Sequence, residues 1–256
     1  MLTFVGLGLY DERSITIEGR DALHDADRAF VERYTSTLGG ASVADLEAYH
    51  DVEIETRDRA GVERDPTAIL DAAETEDVVF LVVGDPMVST THVDLRLRAH
   101  DRGIETRIVH GTTAQTAASS LTGLQNYRFG KATTVPFAYG DRPIPESVVD
   151  TIDDNRDRGL HTLCYLDIKA AEDRYLTASA AADRLAPALE DAIGVVVARA
   201  GSPEPQVAAD TLARLADREF GDPLHLLVIP GVLHDLEREA LSALANAPDR
   251  LFADGS

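Results

Sequence analysis

Cysteine is almost missing from this chain of 256 residues: Cys164 stands alone. One cysteine excludes an internal disulfide and a cysteine-rich metal site. Its place inside the apolar run TLCYLDI reads as a buried structural thiol rather than a nucleophile. Tryptophan is absent, and lysine is confined to Lys131 and Lys169. Positive charge is therefore scarce: 24 Lys and Arg face 45 Asp and Glu, for a net charge of −21. So acidic a chain is a poor partner for nucleic acid. No apolar run approaches the roughly 20 residues needed to span a bilayer, so no membrane partner is expected. The opening MLTFVGLGLYDERS lacks a basic segment ahead of a long apolar one. It reads as a first strand of the fold rather than a signal peptide, and a cytoplasmic location is expected.

The same imbalance has a second meaning. Abundant carboxylates with scarce lysine fit a protein that works in molar salt, where the Debye length falls to about 3 Å and an acidic surface repels itself little.

What is present is an alternation. Apolar strand-like runs cover Thr3–Leu9, 29–34, 52–56, 78–83 and 105–110, with helical spacing at 14–27, 41–50, 66–75 and 90–102. Val78 to Val83 is apolar throughout, as for a strand covered on both faces. That pattern predicts an α/β unit with a mostly parallel sheet. It breaks at HGTT, 110–113, which places a first domain over 1–111 and a second α/β domain over 112–256. The second half predicts helices at 114–121, 145–158, 177–189, 206–218 and 236–245. Its strands are expected at 132–138, 161–168, 193–200 and 225–229, at more hairpin-like spacing.

Several small-residue turns fall at strand ends. GLGLYDERS gives G-x-G after a strand, but Asp11 stands where the dinucleotide fingerprint needs its third glycine. A nicotinamide-dependent oxidoreductase is disfavoured on that ground. VGDPM puts Asp85 between Gly84 and Pro86 at the carboxyl end of a buried strand, where α/β sheets gather ligands. It reads equally well as a plain capped turn. In ARAGSP, Arg199 could bind a carboxylate or pair with one of the acidic side chains. His92, His100, His110, His161, His225 and His234 show no metal-ligand spacing, so no metal site is expected. His225 opens the strand HLLVIPG and is the histidine to watch. There is no G-x-S-x-G elbow, P-loop or recognisable triad, so spacing alone names no reaction and no catalytic side chain. A non-catalytic nucleotide-binding or assembly protein stays open on those grounds.

Longer segments carry a resemblance. FVGLGLYDERSIT (4–16), ERYTS (32–36), GDPMVSTTHVDLRLRA (84–99), LTGLQNYRFGK (121–131) and RGLHTLCYLDIKA (158–170) are followed by RYLTA (174–178), VVVARAGSP (195–203) and FGDPLHLLVIPGVLH (220–234). Together they span the chain and resemble the diphthine synthase family, of the tetrapyrrole-methylase-like class, in a haloarchaeal type. The resemblance implies two α/β domains with the cofactor in a cleft between them, and a homodimer. It implies S-adenosylmethionine as methyl donor, with S-adenosylhomocysteine as product. The implied acceptor is the amino group of a modified histidine, 2-(3-amino-3-carboxypropyl)-histidine, on translation elongation factor 2. Three transfers would give diphthine. Carried over by position, the implied cofactor contacts are Leu9, Asp85, Val88, Thr113, Ala114, Leu166, Ala200 and His225. Gly111-Thr112-Thr113 stands where the family often has Ala-Pro-Ser, and Ala114 replaces a larger apolar residue. The runner-up is a tetrapyrrole methyltransferase of the same fold, against which GLYDERSIT and HTLCYLDIKA argue.

Overall fold

The structure is a computed structural model that describes residues 1–34, 37–140 and 142–252, with Ala171 described in its backbone alone. Thr35 and Ser36 of the ERYTS segment lie outside the described residues. By the density of their contacts the residues divide into two units, Met1–Thr113 with Ala170–Glu172, and Ala114–Lys169 with Asp173–Ser256.

The first unit alternates strand and helix as the sequence predicts. β1 (Leu2–Gly6), α1 (Ile17–Asp25), β2 (Arg28–Glu32), α2 (Val43–His50), β3 (Ile54–Arg57), α3 (Thr67–Thr75), β4 (Val78–Val82), α4 (Val93–Asp101) and β5 (Thr106–Val109) follow in order. The sheet runs β3-β2-β4-β1-β5 and every pairing in it is parallel. Side chains alternate across a strand, and that period sorts the core. Phe4, Phe30 and Phe80 point to one face with Ile69, Leu70, Leu95 and Ala99 of α3 and α4. Val5, Val31, Val79 and Leu81 point to the other with Leu23 and Leu46 of α1 and α2. β4, second neighbour to each edge, is buried along all five residues, which is why its sequence is apolar without alternation. Phe4 and Phe80 meet edge to face at 5.9 Å.

The second unit is built from α5 (Ala114–Thr122), β6 (Thr133–Val135), α6 (Glu146–Asp157), β7 (Thr162–Leu166), the short hairpin β8 (Ile168–Lys169) and β9 (Arg174–Tyr175), and α7 (Ala178–Leu185). It continues through β10 (Ile193–Ala198), β11 (Gln206–Thr211), α8 (Leu212–Ala216), β12 (His225–Ile229) and α9 (Asp235–Leu244). Its five-stranded sheet runs β11-β10-β12-β7-β6. All pairings are antiparallel except β6 with β7. Val196, Leu227, Ile229 and Cys164 face α6, α7 and α8, whereas Val195, Val197, Val228 and Leu163 face α5 and α9. Cys164 is fully buried, and desolvation pushes its thiol up to about 12, an inert structural group.

One sequence expectation is corrected. The helix predicted over 206–218 begins only at Leu212; Gln206–Thr211 is a strand paired antiparallel with all of β10. Its alanines favour a helix intrinsically, but Ala208 and Ala209 are buried toward opposite faces of the sheet. Pairing with a neighbour and burial on both sides outweigh a weak local propensity. The β8–β9 hairpin, two residues per strand, also departs from the longer strand read over 161–168.

α9 is fastened by charge as well as by packing. Glu237 is fully buried, and its carboxylate accepts from His161 Nε2, from the backbone N–H groups of Gln125 and His234, and from Arg128 Nη1, each at 2.9 Å. Burial by itself would raise the Glu237 pKa; the donors outweigh it and the pKa ends below the usual value. A fully satisfied buried carboxylate of this kind fixes one arrangement of the elements it joins.

Candidate functional site

The sheet order of the first unit decides where its loops can open. The chain leaving β1 runs to β2 on one side of the sheet, and the chain leaving β4 runs to β5 on the other. Loops that part in this way at the carboxyl ends of adjacent parallel strands create the ligand crevice of open α/β sheets.

Three glycines bring those ends together. A Cβ on Gly111 would lie 2.2 Å from the Gly84 carbonyl oxygen, and one on Gly6 would lie 2.5 Å from the same atom. The ends of β1, β4 and β5 therefore approach more closely than any other residue type permits. Beyond the crowding, Gly8 and Gly84 form an isolated antiparallel bridge, with the Gly84 N–H donating to Gly8 at 2.7 Å and the return bond at 3.4 Å. Both have positive φ, +75° and +79°.

Asp85 leads out of this bridge and is 5% exposed. Its Oδ1 accepts from the Met87 N–H at 2.9 Å, which closes the Gly-Asp-Pro turn. Its Oδ2 accepts from His110 Nδ1 at 2.7 Å and from the Gly111 N–H at 3.4 Å. The carboxylate is thus engaged by its own chain and ties the β4 loop to the end of β5. On the far side of the same turn, the buried His92 donates from Nδ1 to the Pro86 carbonyl at 3.1 Å, and burial holds its pKa low.

The sequence-derived positions fall into two groups. Leu9, Asp85 and Val88 stand on the β1 and β4 loops of the first unit, and Thr113 closes the segment after β5. Val88 is 39% exposed and Leu9 and Thr113 are half-buried. Ala114 opens α5 in the second unit. Leu166, Ala200 and His225 come from segments far apart in sequence, and antiparallel pairing gathers them at one end of the second sheet. His225, first in β12, faces Ala198, last in β10, while Leu226 faces Tyr165, one residue before the buried Leu166. Ala200 follows β10 directly.

His225 is buried, and both ring nitrogens are engaged. Nδ1 accepts from the Ala178 N–H at 3.2 Å, in the first turn of α7, and Nε2 donates to the Asp222 carbonyl at 2.9 Å. Those partners assign the neutral ring with its proton on Nε2; desolvation, first among the causes, lowers the pKa. Arg199 donates to the Phe220 carbonyl at 2.5 Å and has φ +53°, so neither of its sequence readings, carboxylate binding or an acidic partner, describes the contact it makes.

The sequence singled out Asp85 but passed over His110, the side chain bound to it. Its signal was the position immediately after a strand and before Gly111. Among the described residues no group of His, Cys, Asp and Glu could hold a metal ion, and no helix is long and apolar enough to cross a membrane.

Comparison with known proteins gives consistent matches. The family model of the tetrapyrrole (corrin/porphyrin) methylases matches residues 1–216. A diphthine synthase of Halorubrum lacusprofundi is 65% identical over 265 aligned positions, covering 99% of this chain and 100% of that protein. A diphthine synthase of Haloarcula marismortui is 66% identical, covering 96% and 99%. A crystal structure of a diphthine synthase superposes with a TM-score of 0.91 at 38% identity, covering 98% of each chain.

Proposed function

The chain belongs to the tetrapyrrole (corrin/porphyrin) methylase family and, within it, to the diphthine synthases, and from that membership we propose how its site works and what it acts on. It is an S-adenosylmethionine-dependent methyltransferase of diphthamide biosynthesis. The finer reading is that it methylates, in the cytoplasm, the amino group of 2-(3-amino-3-carboxypropyl)-histidine on translation elongation factor 2. Three transfers give diphthine, and the enzyme acts as a homodimer. Leu9, Asp85, Val88, Thr113, Ala114, Leu166, Ala200 and His225 hold S-adenosylmethionine, and S-adenosylhomocysteine leaves.

The observation that carries this reading is the convergence of small-residue strand ends in each unit. The Gly6–Gly84–Gly111 crowding and the Gly8–Gly84 bridge bring the ends of β1, β4 and β5 together with no side chain between them. That suits a ligand that meets the loops of the first unit, with the exposed Val88 offering apolar contact. Asp85 serves it by fixing the loop, since its oxygens already accept from Met87, His110 and Gly111. His225 likewise fixes the start of β12 against α7.

When bound, S-adenosylmethionine supplies a methyl group activated by its sulfonium. The protein's task is then to hold the acceptor nitrogen in line with that methyl and to exclude water. A free amine near neutral pH is mostly protonated, so the acceptor must shed a proton before each transfer. Calorimetry with S-adenosylhomocysteine tests the reading: saturable binding at one site per chain is expected, and absence of binding overturns it.

A further inference from the structure

The reaction needs a proton acceptor beside the cofactor loop, and no motif in the sequence names one. The structure supplies an Asp–His pair there. Asp85 is buried, while the His110 side chain bonded to it at 2.7 Å is 78% exposed. An ionised carboxylate can only accept, so the bond puts a proton on Nδ1 and leaves the Nε2 lone pair facing outward. Among the described residues Nε2 has no hydrogen-bond partner. The Asp85 carboxylate is itself held by the Met87 and Gly111 N–H groups, which fixes the direction of the imidazole. A buried carboxylate that sets the tautomer of an accessible imidazole is the arrangement by which histidine serves as a general base.

We infer that His110 is the general base of methyl transfer, with Asp85 as the residue that positions it. The inference rests on the reading of the chain as an amine methyltransferase. Nε2 takes one proton from the acceptor ammonium. The freed nitrogen lone pair forms the new N–C bond, the C–S bond breaks, and its electron pair stays on sulfur as the thioether. The imidazolium, stabilised by Asp85, returns its proton to water through its exposed edge. Each methylated amine short of the quaternary product is again protonated, so every further transfer needs another deprotonation. A solvent-facing base that resets after each turn meets that need.

On β5 itself, Arg107 pairs with Glu18 of α1 at 2.6 Å.

The test is His110→Ala and His110→Gln in the full chain, assayed on the modified elongation factor from neutral to alkaline pH, with S-adenosylhomocysteine affinity measured alongside. Loss of a general base lowers kcat about 10²- to 10⁴-fold near neutral pH. The loss is expected to shrink as pH rises and the amine deprotonates unaided, and added imidazole is expected to restore part of the rate to His110→Ala. S-adenosylhomocysteine affinity is expected to change little. Asp85→Asn, which keeps an oxygen for Met87 but no longer accepts from Nδ1–H at Oδ2, is expected to lower kcat as well. A loss of cofactor affinity with unchanged kcat overturns the inference, because His110 would then only brace the loop. A kcat loss equal at every pH, with no rescue, overturns it too. If the wild-type chain itself transfers no methyl group, the underlying functional reading fails. If wild type and His110→Ala are equally active, the inference alone fails.

Discussion

Gly111→Ala tests whether the crowded strand ends are what shape the site. The new Cβ would stand 2.2 Å from the Gly84 oxygen and 2.9 Å from the Gly6 Cα. Ordinary contact begins near 3.4 Å, so the end of β4 must move away by about 1.2 Å. Both near atoms are backbone, so no side chain can swing aside to absorb the clash. The Gly8–Gly84 bridge, at 2.7 and 3.4 Å, lies in the path of that movement. Overpacking costs about 1–3 kcal/mol, and each weakened hydrogen bond about 0.5–1.5 kcal/mol. With both bridge bonds weakened, the loss of stability expected is about 2–6 kcal/mol, with a clear loss of S-adenosylhomocysteine affinity. Urea unfolding and calorimetry read the two effects. A variant less than about 0.5 kcal/mol destabilised, the range of an inconsequential surface change, with wild-type affinity, would refute the geometric argument.

Other outcomes follow from single contacts. His225→Ala leaves the buried Ala178 N–H and the more accessible Asp222 carbonyl without their partners, at about 1–3 kcal/mol for the buried N–H, and is expected to weaken S-adenosylhomocysteine binding. An unaltered dissociation constant counts against His225 as part of the cofactor site. His92, His161 and His225 are all held below their usual 6.5 by burial. Below that pH the unfolded chain takes up protons that the folded chain refuses, so the stability they contribute is whole above about 6.5 and declines as pH falls. Each adds a slope of up to about 1.4 kcal/mol per pH unit; a urea midpoint unchanged between about pH 7.5 and about pH 5.5 would contradict this. The net charge of −21 repels itself over about 30 Å at 0.01 M salt but only about 3 Å at 1 M. The thermal midpoint is therefore expected to fall on dialysis from molar salt into dilute buffer, and an unchanged midpoint would remove the halophilic reading.

The parallel sheet of the first unit was legible because burial on both faces writes continuous apolar runs such as VVFLVV, and helices between them keep their own period. The Gly-Asp-Pro corner was legible as a place, at the end of such a run. Its mechanics were not: the Asp85 carboxylate accepts from Met87, Gly111 and His110, contacts that the turn sequence does not announce. Residues 25 positions apart meet there only because β4 and β5 flank β1, which no local pattern records. β11 was hidden for a related reason, since its alanines are strand residues only by virtue of the partner strand. The Glu237–His161–Arg128 fastening joins two of the segments that carried the family resemblance through a carboxylate just beyond a third, and part of their specificity therefore serves the fold rather than the chemistry.

The central claim is methyl transfer to a modified histidine, and mass analysis of the acceptor tests it most directly. The chain is incubated with S-adenosylmethionine and elongation factor 2 bearing 2-(3-amino-3-carboxypropyl)-histidine, and the histidine-containing peptide is weighed. The expected result is a gain in steps of one methyl group, ending at three, confined to that side chain. No gain on that peptide, with the acceptor intact and S-adenosylmethionine bound, would contradict the account.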